Sequence, residues 1–249
     1  MKKIIAAVLL ISFSTFSANA APTLGMFSLT GGLAHNSSVW GASGKQENFE
    51  LDGTAKAVQN QSGVFTDSYS SQFIEVGIGQ WVSLGYEISD TIATPTNVVH
   101  ERKTSGGQGG GTNLKNTISV DFKDLATTYI KINTPMGIYF KYGNVDTDLD
   151  IKEVMASGNS YANVSTSGSS TGMGYQKHIG DSGFGFRFEA NYIELDNVKT
   201  NNGESAGALV CLNTGTCAGV NNGLNKVSAS NLEGLAGKVA LTYTLGRNN

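Results

Sequence analysis

The chain has 249 residues, of which 39% are hydrophobic, with 32 Gly, 3 Pro and 2 Cys. Its 17 Lys and Arg against 20 Asp and Glu give a net charge of −3, which excludes the concentrated basic face that nucleic-acid binding needs. A soluble domain of this length would show solid apolar runs or amphipathic helices for its core, and none follows the N-terminal stretch.

That stretch carries Lys2 and Lys3, an apolar run Ile4–Ile11 and the small-x-small site Ala18-Asn19-Ala20. It reads as a secretory signal peptide over residues 1–20, leaving a mature chain of 21–249 that begins at Ala21. Loss of Lys2 and Lys3 leaves 15 basic residues against the 20 acidic ones, a net charge of −5. No later stretch approaches the roughly 20 apolar residues of a membrane-spanning helix. After export to an oxidising compartment, Cys211 and Cys217 in CLNTGTC predict a local disulfide. A metal site would need more ligands, and no His or acidic residue lies in that stretch.

Alternation of apolar and polar residues, the period of a strand, marks the mature chain throughout. Phe27, Leu29 and Leu33 alternate with Ser28, Thr30 and Gly32 and predict a first strand near Leu24–Ala34. Residues 35–67 read as strand extension plus a long loop. The second strand, Tyr69–Gly79, has Ile74, Val76 and Ile78 on one face. Gly79-Gln80 turns the chain into a third strand with Val82, Leu84, Tyr86 and Ile88.

SGGQGGGTN, Ser105–Asn113, reads as a loop and lacks the Lys-Ser/Thr of a phosphate-binding loop. A fourth strand enters with Ile118, Val120 and Phe122 and leaves with Ile130 and Ile132, read as one even-numbered face. Asn133–Gly137 is a short turn, and the fifth strand has Ile138, Phe140 and Tyr142 outward before running on into DTDLDIKE. A Ser/Thr/Gly-rich sixth strand carries Met173 and Tyr175. Gly180–Gly183 then turns into the clearest strand, Phe184–Tyr192, where Phe184, Phe186, Phe188, Ala190 and Tyr192 alternate with Gly185, Arg187, Glu189 and Asn191. After a polar stretch near 199–225, the last strand carries Val239, Leu241, Tyr243 and Leu245.

The count is eight strands, joined alternately by short turns and by long connections near 35–67, 95–113, 152–162 and 199–225. Nothing in the chain supplies a second layer for the apolar faces. An all-β, antiparallel up-and-down barrel, apolar to lipid and polar to its own lumen, satisfies every strand at once. Parity then places Glu75, Glu87 and Glu189 inside with Lys131, Lys141, Arg187 and Lys238. An eight-stranded barrel is just wide enough for side chains to fill, so these charges must pair in a lumen network.

With these strands, turns and termini the chain resembles the small bacterial outer-membrane barrels of the OmpA-barrel, OmpX and opacity-protein type. The C-terminus is similar to their assembly signal, polar-x-Gly-x-x-apolar-x-apolar, on Lys238, Ala240, Tyr243 and Leu245. It departs from that pattern in having Ala240 where Gly is usual and in ending Gly246-Arg247-Asn248-Asn249 rather than on an aromatic residue. The resemblance implies a monomer in the outer membrane of a Gram-negative cell envelope. It also implies insertion by the barrel assembly machinery, contact with outer-membrane lipid and lipopolysaccharide, and no cofactor.

Several constellations point to sharper chemistry. Asp146, Asp148 and Asp150 open like a calcium loop, but Ile151 and Ser157 stand where Gly and Glu are required. His35 and Ser37 share a strand face, as a base and a nucleophile of a lipid A hydrolase would, with Glu47 or Glu50 downstream and nothing in the sequence that fixes the acid. His100 and His178 are isolated. Tyr69, Tyr86, Tyr139, Tyr142, Tyr175, Tyr192 and Tyr243, with Trp81, read as aromatic girdles at the membrane interfaces. The reading is therefore a non-enzymatic barrel with a structural, surface-display or interaction role. The alternative is a narrow porin-like pore, favoured by small inward residues at Ser28, Gly32, Gly77, Ser83, Gly85, Gly172, Gly174 and Gly185. The lipid A hydrolase is a distant third.

Overall fold

The structure, a computed structural model, describes residues 26–49, 55–93, 102–104, 114–154, 161–201 and 225–246. Residues 1–20, read from the sequence as a signal peptide, lie outside them, as do Glu50, His100, Ser105–Asn113 and both cysteines. Eight long strands form the wall: β1 (Phe27–Phe49), β2 (Ala55–Ile78), β3 (Val82–Ser89), β4 (Leu114–Asn133), β5 (Ile138–Val154), β6 (Val164–His178), β7 (Phe184–Leu195) and β8 (Asn225–Leu245). Each pairs antiparallel with the next, and β8 returns to β1 from Leu29↔Leu245 to Asn48↔Asn225, which closes the barrel. Three short strands accompany the wall: Ile92–Ala93 and Arg102–Thr104 on β4, and Val198–Asn201 on β8.

The register fixes the geometry. One row of directly paired residues runs Ile78–Val82–Ile132–Phe140–Met173–Ala190–Gly237–Ser37–Ser68, and so returns to β2 ten residues from its start. Eight strands with a shear of ten tilt by roughly 40°, so each residue climbs about 2.5 Å along the barrel axis. The tight turns at Gly79, Gly137, Gly180 and Gly183, all glycines with positive φ, sit at one end with the termini of β1 and β8. There a side chain at φ near +60° would be strained.

Above these turns, every strand first presents an apolar exterior. Ile78, Leu84, Ile132, Phe140, Met173, Phe188 and Leu241 are exposed on it. On β2, β4, β5 and β6 the exterior turns polar at one common height, at Gln72, Thr128, Asn144 and Thr171, while Val39, Val58, Val64 and Leu235 remain exposed above it. The interior changes in the opposite sense. Beside the apolar band it is charged; above the band it is a hydrophobic core of Trp40, Tyr69, Ile92, Phe122, Val145, Leu149, Ile193, Leu195 and Leu232. The lower barrel is thus built for lipid and the upper barrel for water, on the same strands.

Residues 35–67, read from the sequence as strand extension plus a long loop, are strand on both sides of residues 50–54, since β1 runs to Phe49 and β2 begins at Ala55. The apolar alternation fades there because these residues stand above the band, where nothing selects an apolar exterior. The fourth strand also departs from a single even face: Ile130 and Ile132 point out, whereas Phe122 is buried inside. Between Lys123↔Asp148 and Ala126↔Asp146 the register slips at Asp124, whose φ is +53°, so a bulge reverses the parity of β4. Asn231, at φ +52°, marks the matching slip in β8 opposite Gly41 and Ser43.

Candidate functional site

The lumen beside the apolar band holds two linked charge clusters. In the lower one, Arg187 from β7 donates to both oxygens of Glu75 on β2, Nη1 to Oε1 and Nη2 to Oε2, each at 2.8 Å. Lys131 donates to the same carboxylate at 2.5 Å and Tyr129 at 2.7 Å. Gln176 Oε1 accepts from Lys131 and Arg187, at 3.1 and 2.9 Å, and so ties the two cations together.

In the upper cluster, Lys141 and Lys238 lie between Glu87 and Glu189. Lys141 reaches Glu189 at 2.7 Å and Glu87 at 3.2 Å; Lys238 reaches Glu87 at 2.6 Å and Glu189 at 2.9 Å. Ser71 donates to Glu87 at 2.7 Å, while Tyr139 and Asn191 donate to Glu189 at 2.6 and 2.7 Å. All seven charged residues are buried. Cation faces also stack on rings: Lys141 lies 4.4 Å from the Tyr129 centroid and Arg187 4.4 Å from that of Phe73. Paired charges with saturated oxygens are the form in which ions are tolerated away from water.

Three of the small inward residues, Gly32, Gly85 and Gly174, face rings across the ladder. Glycine stands directly across the ladder from an aromatic residue at Gly32↔Phe73, Gly85↔Tyr129, Gly174↔Tyr139 and Gly234↔Trp40. In each pair a Cβ on the glycine would overlap the facing ring. The glycines are seats into which large side chains lie flat. Tyr139 is thereby drawn inside, as is Tyr69, so neither belongs to an exterior girdle; Trp81, Tyr142, Tyr175 and Tyr192 are exposed. Tyr243 is buried and meets Phe184 edge-on at 4.9 Å. Above the charges, Trp40 stacks on Phe122 at 5.1 Å and donates Nε1–H to Ser38 Oγ at 2.9 Å.

The remaining sequence candidates stay apart. His35 and Ser37 lie on the exterior, in a shallow groove with Met173, Phe188, Ala190 and Gly237. His35 is flanked across the ladder by Ser70 and Val239, and the Ser37 hydroxyl lies 3.0 Å from that of Ser68. Glu47 sits twelve residues along β1 from His35, roughly 40 Å at strand rise, and is paired with Lys45. It cannot serve as the acid of a triad with His35. Asp146, Asp148 and Asp150 are strung along the exterior face of β5. Ser165 donates to Asp148 at 2.7 Å and Asn163 to Asp150 at 2.9 Å. Asp150 also pairs with Lys123, whose ammonium that hydrogen bond holds above its ordinary pKa. His178 lies half-buried 3.5 Å from Gln176 at the turn end of the lumen. Of the C-terminal residues, Lys238 is in the charge network, Ala240 packs with Ala34 and Phe73 inside, and Leu245 is half-buried at the end of β8.

Parity cannot reveal the bulged positions Asp124 and Asn231, nor the aromatic–glycine pairing. The pairing has a sequence trace only when two strands are already aligned.

No protein-family model matches the chain, and no curated protein is similar to it. Among solved structures, the outer membrane protein OprG from Pseudomonas aeruginosa is similar at 14% identity and a TM-score of 0.47, over 91% of this chain and 99% of that one. Ail, the attachment invasion locus protein of Yersinia pestis, is similar at 8% identity and a TM-score of 0.35, over 85% and 98%. A FadL homologue from Pseudomonas aeruginosa follows at 7% identity and 0.29, over 86% and 90%.

Proposed function

We propose that this chain is an outer-membrane barrel with a closed lumen, acting through the wall it raises outside the membrane rather than by conduction or catalysis. The filled interior is the observation that carries this reading: paired charges beside the apolar band, then a hydrophobic core from Trp40 to Leu232 above it. The apolar exterior and the turn end with both barrel termini support a placement with turns in the periplasm and the upper barrel outside. Export by the residue 1–20 signal peptide, insertion by the barrel assembly machinery, a monomeric state and contact with lipopolysaccharide belong to the same proposal. So does a Cys211–Cys217 disulfide.

Single-channel recording of the refolded mature chain in a planar bilayer tests it, with insertion confirmed by heat-modifiable gel mobility. A silent bilayer is the expected result. Steady, reproducible conductance steps would overturn the closed-lumen reading and favour a narrow pore.

A further inference from the structure

One register row forms the floor of a groove on the exterior wall. Met173, Ala190, Gly237, Ser37 and Ser68 pair directly across β6, β7, β8, β1 and β2, and all five face outward. One exterior position down the strands stand Phe188 and Val239; one position up stand Tyr192, Leu235 and Val39, all exposed. Such positions are about 7 Å apart along a strand, so two ridges of large side chains flank a trough one chain wide. At Gly237 an added Cβ would meet only the Ser37 carbonyl, at 4.0 Å. Ser37 and Gly237 line both halves of the groove. The lower half continues past Tyr175 to Ile138, and the upper half reaches Thr66 and Asp67.

The shear inclines this groove. A register row gains ten residues of about 2.5 Å over eight strands, so it climbs roughly 3 Å per strand. From Met173 to Ser68 it crosses roughly 19 Å of wall, enough for an acyl chain that spans one leaflet, about half of a 30 Å hydrocarbon core. Its lining changes along the climb. Met173, Tyr175, Phe188 and Val239 lie in the apolar band, whereas the upper end holds His35, Asp67 and the Ser37 and Ser68 hydroxyls, 3.0 Å apart. Apolar below and hydroxylic above, the groove repeats the polarity of a lipid with its tail in the band. It is also continuous with the lipid-facing surface, where acyl chains are the solvent.

Charge at the upper end selects the head group. Glu194 and Glu233 stand one exterior position above Tyr192 and Leu235. Asp67 lies at the rim, its oxygens accepting from the Ser68 and Ala93 N–H groups at 2.8 and 2.9 Å. Among the described residues, no Lys or Arg lines that end. Carboxylates attract an ammonium and repel a head group of net negative charge.

We infer that this groove is a lipid site, holding one acyl chain of an outer-leaflet lipid whose net-neutral, amine-bearing head rests at Ser37, Ser68 and Asp67. This rests on the reading that the apolar band faces lipid and the upper barrel stands outside the membrane.

Native mass spectrometry tests it, on the refolded mature chain released from micelles titrated with phosphatidylethanolamine or with phosphatidylglycerol of the same acyl chains. One phosphatidylethanolamine should stay bound, with an affinity about tenfold above that of phosphatidylglycerol. Gly237→Leu fills the floor and should weaken that binding about tenfold or more, while heat-modifiable mobility stays as in the wild type. Ile130→Phe, which adds bulk to the exposed face of β4 instead, should bind as the wild type does. Glu194→Gln with Glu233→Gln should narrow the preference between the two lipids. Equal binding of both lipids by the wild type, or binding unchanged in Gly237→Leu, would overturn the inference. Protein dimers that form without lipid and vanish in Gly237→Leu would overturn it too, making the groove a contact between copies. A chain without heat-modifiable mobility in lipid would instead overturn the membrane reading, and the lipid site with it.

Discussion

Arg187 and Glu75, 112 residues apart in sequence and on strands that are not neighbours, meet in a two-pronged ion pair inside the barrel. The shear of ten brings them level, and Lys131 closes on the same carboxylate. Removing the acid leaves two buried cations facing each other. Glu75→Gln should therefore destabilise the barrel by about 3–5 kcal/mol, the range for breaking a buried pair. Replacing Glu75 and Arg187 together with Met should cost less, because it leaves one buried cation, Lys131, without its carboxylate instead of two. Urea unfolding in lipid, followed by heat-modifiable mobility, measures both. Equal losses in the single and double variants would contradict this account.

The glycine seats make a second, opposed pair of expectations. A Cβ at Gly85 would overlap the Tyr129 ring, so Gly85→Ala must push aside the side chain that donates to Glu75. A loss of about 1–3 kcal/mol is expected, as for overpacking elsewhere. At Gly237 the only neighbour of an added Cβ is the Ser37 carbonyl at 4.0 Å. Gly237→Ala should be neutral or slightly stabilising in the same unfolding assay.

What the sequence discloses follows from where each residue stands. Beside lipid, strand period and burial coincide, so Phe184–Tyr192 announces itself, and the turns at Gly79, Gly137 and Gly183 divide the chain into staves. Lumen-facing identity follows from the same parity wherever a strand has no bulge. Which charges then meet depends on the shear, which no single strand encodes. Above the band the polarity inverts, and a pattern tuned to lipid misreads it: β1 and β2 beyond Ser37 and Ser68 look like loop, and Phe122 looks outward. Asp124 causes the second error, because one residue at positive φ turns the rest of β4 over.

The upper core should be separable from the lower barrel. Trp40 is 1% exposed, stacked on Phe122 and seated on Gly234. Trp40→Ala empties that site, at an expected cost of about 3–5 kcal/mol to the structure around it. The charge clusters and the apolar band contain no part of Trp40. Limited proteolysis should then open the upper strands of β1, β4 and β8 sooner, while a lipid-protected core and its heat-modifiable mobility persist. Simultaneous loss of both would mean that the two storeys unfold as one.

Glu194 and Glu233 face each other directly across β7 and β8, both exposed, just above the apolar band. Like charges in directly opposed positions destabilise a sheet, and the scale of such cross-strand pairs is roughly 0.2–1 kcal/mol. Tyr192 donates to Glu233, which makes Glu194 the better residue to neutralise. Glu194→Gln should stabilise the barrel by an amount within that range at low ionic strength. Exposed charges are screened within about 3 Å at 1 M salt, so the gain should disappear there. Paired unfolding curves in low and high salt measure it. A gain that persists in high salt would trace to strand packing rather than to repulsion between the two carboxylates.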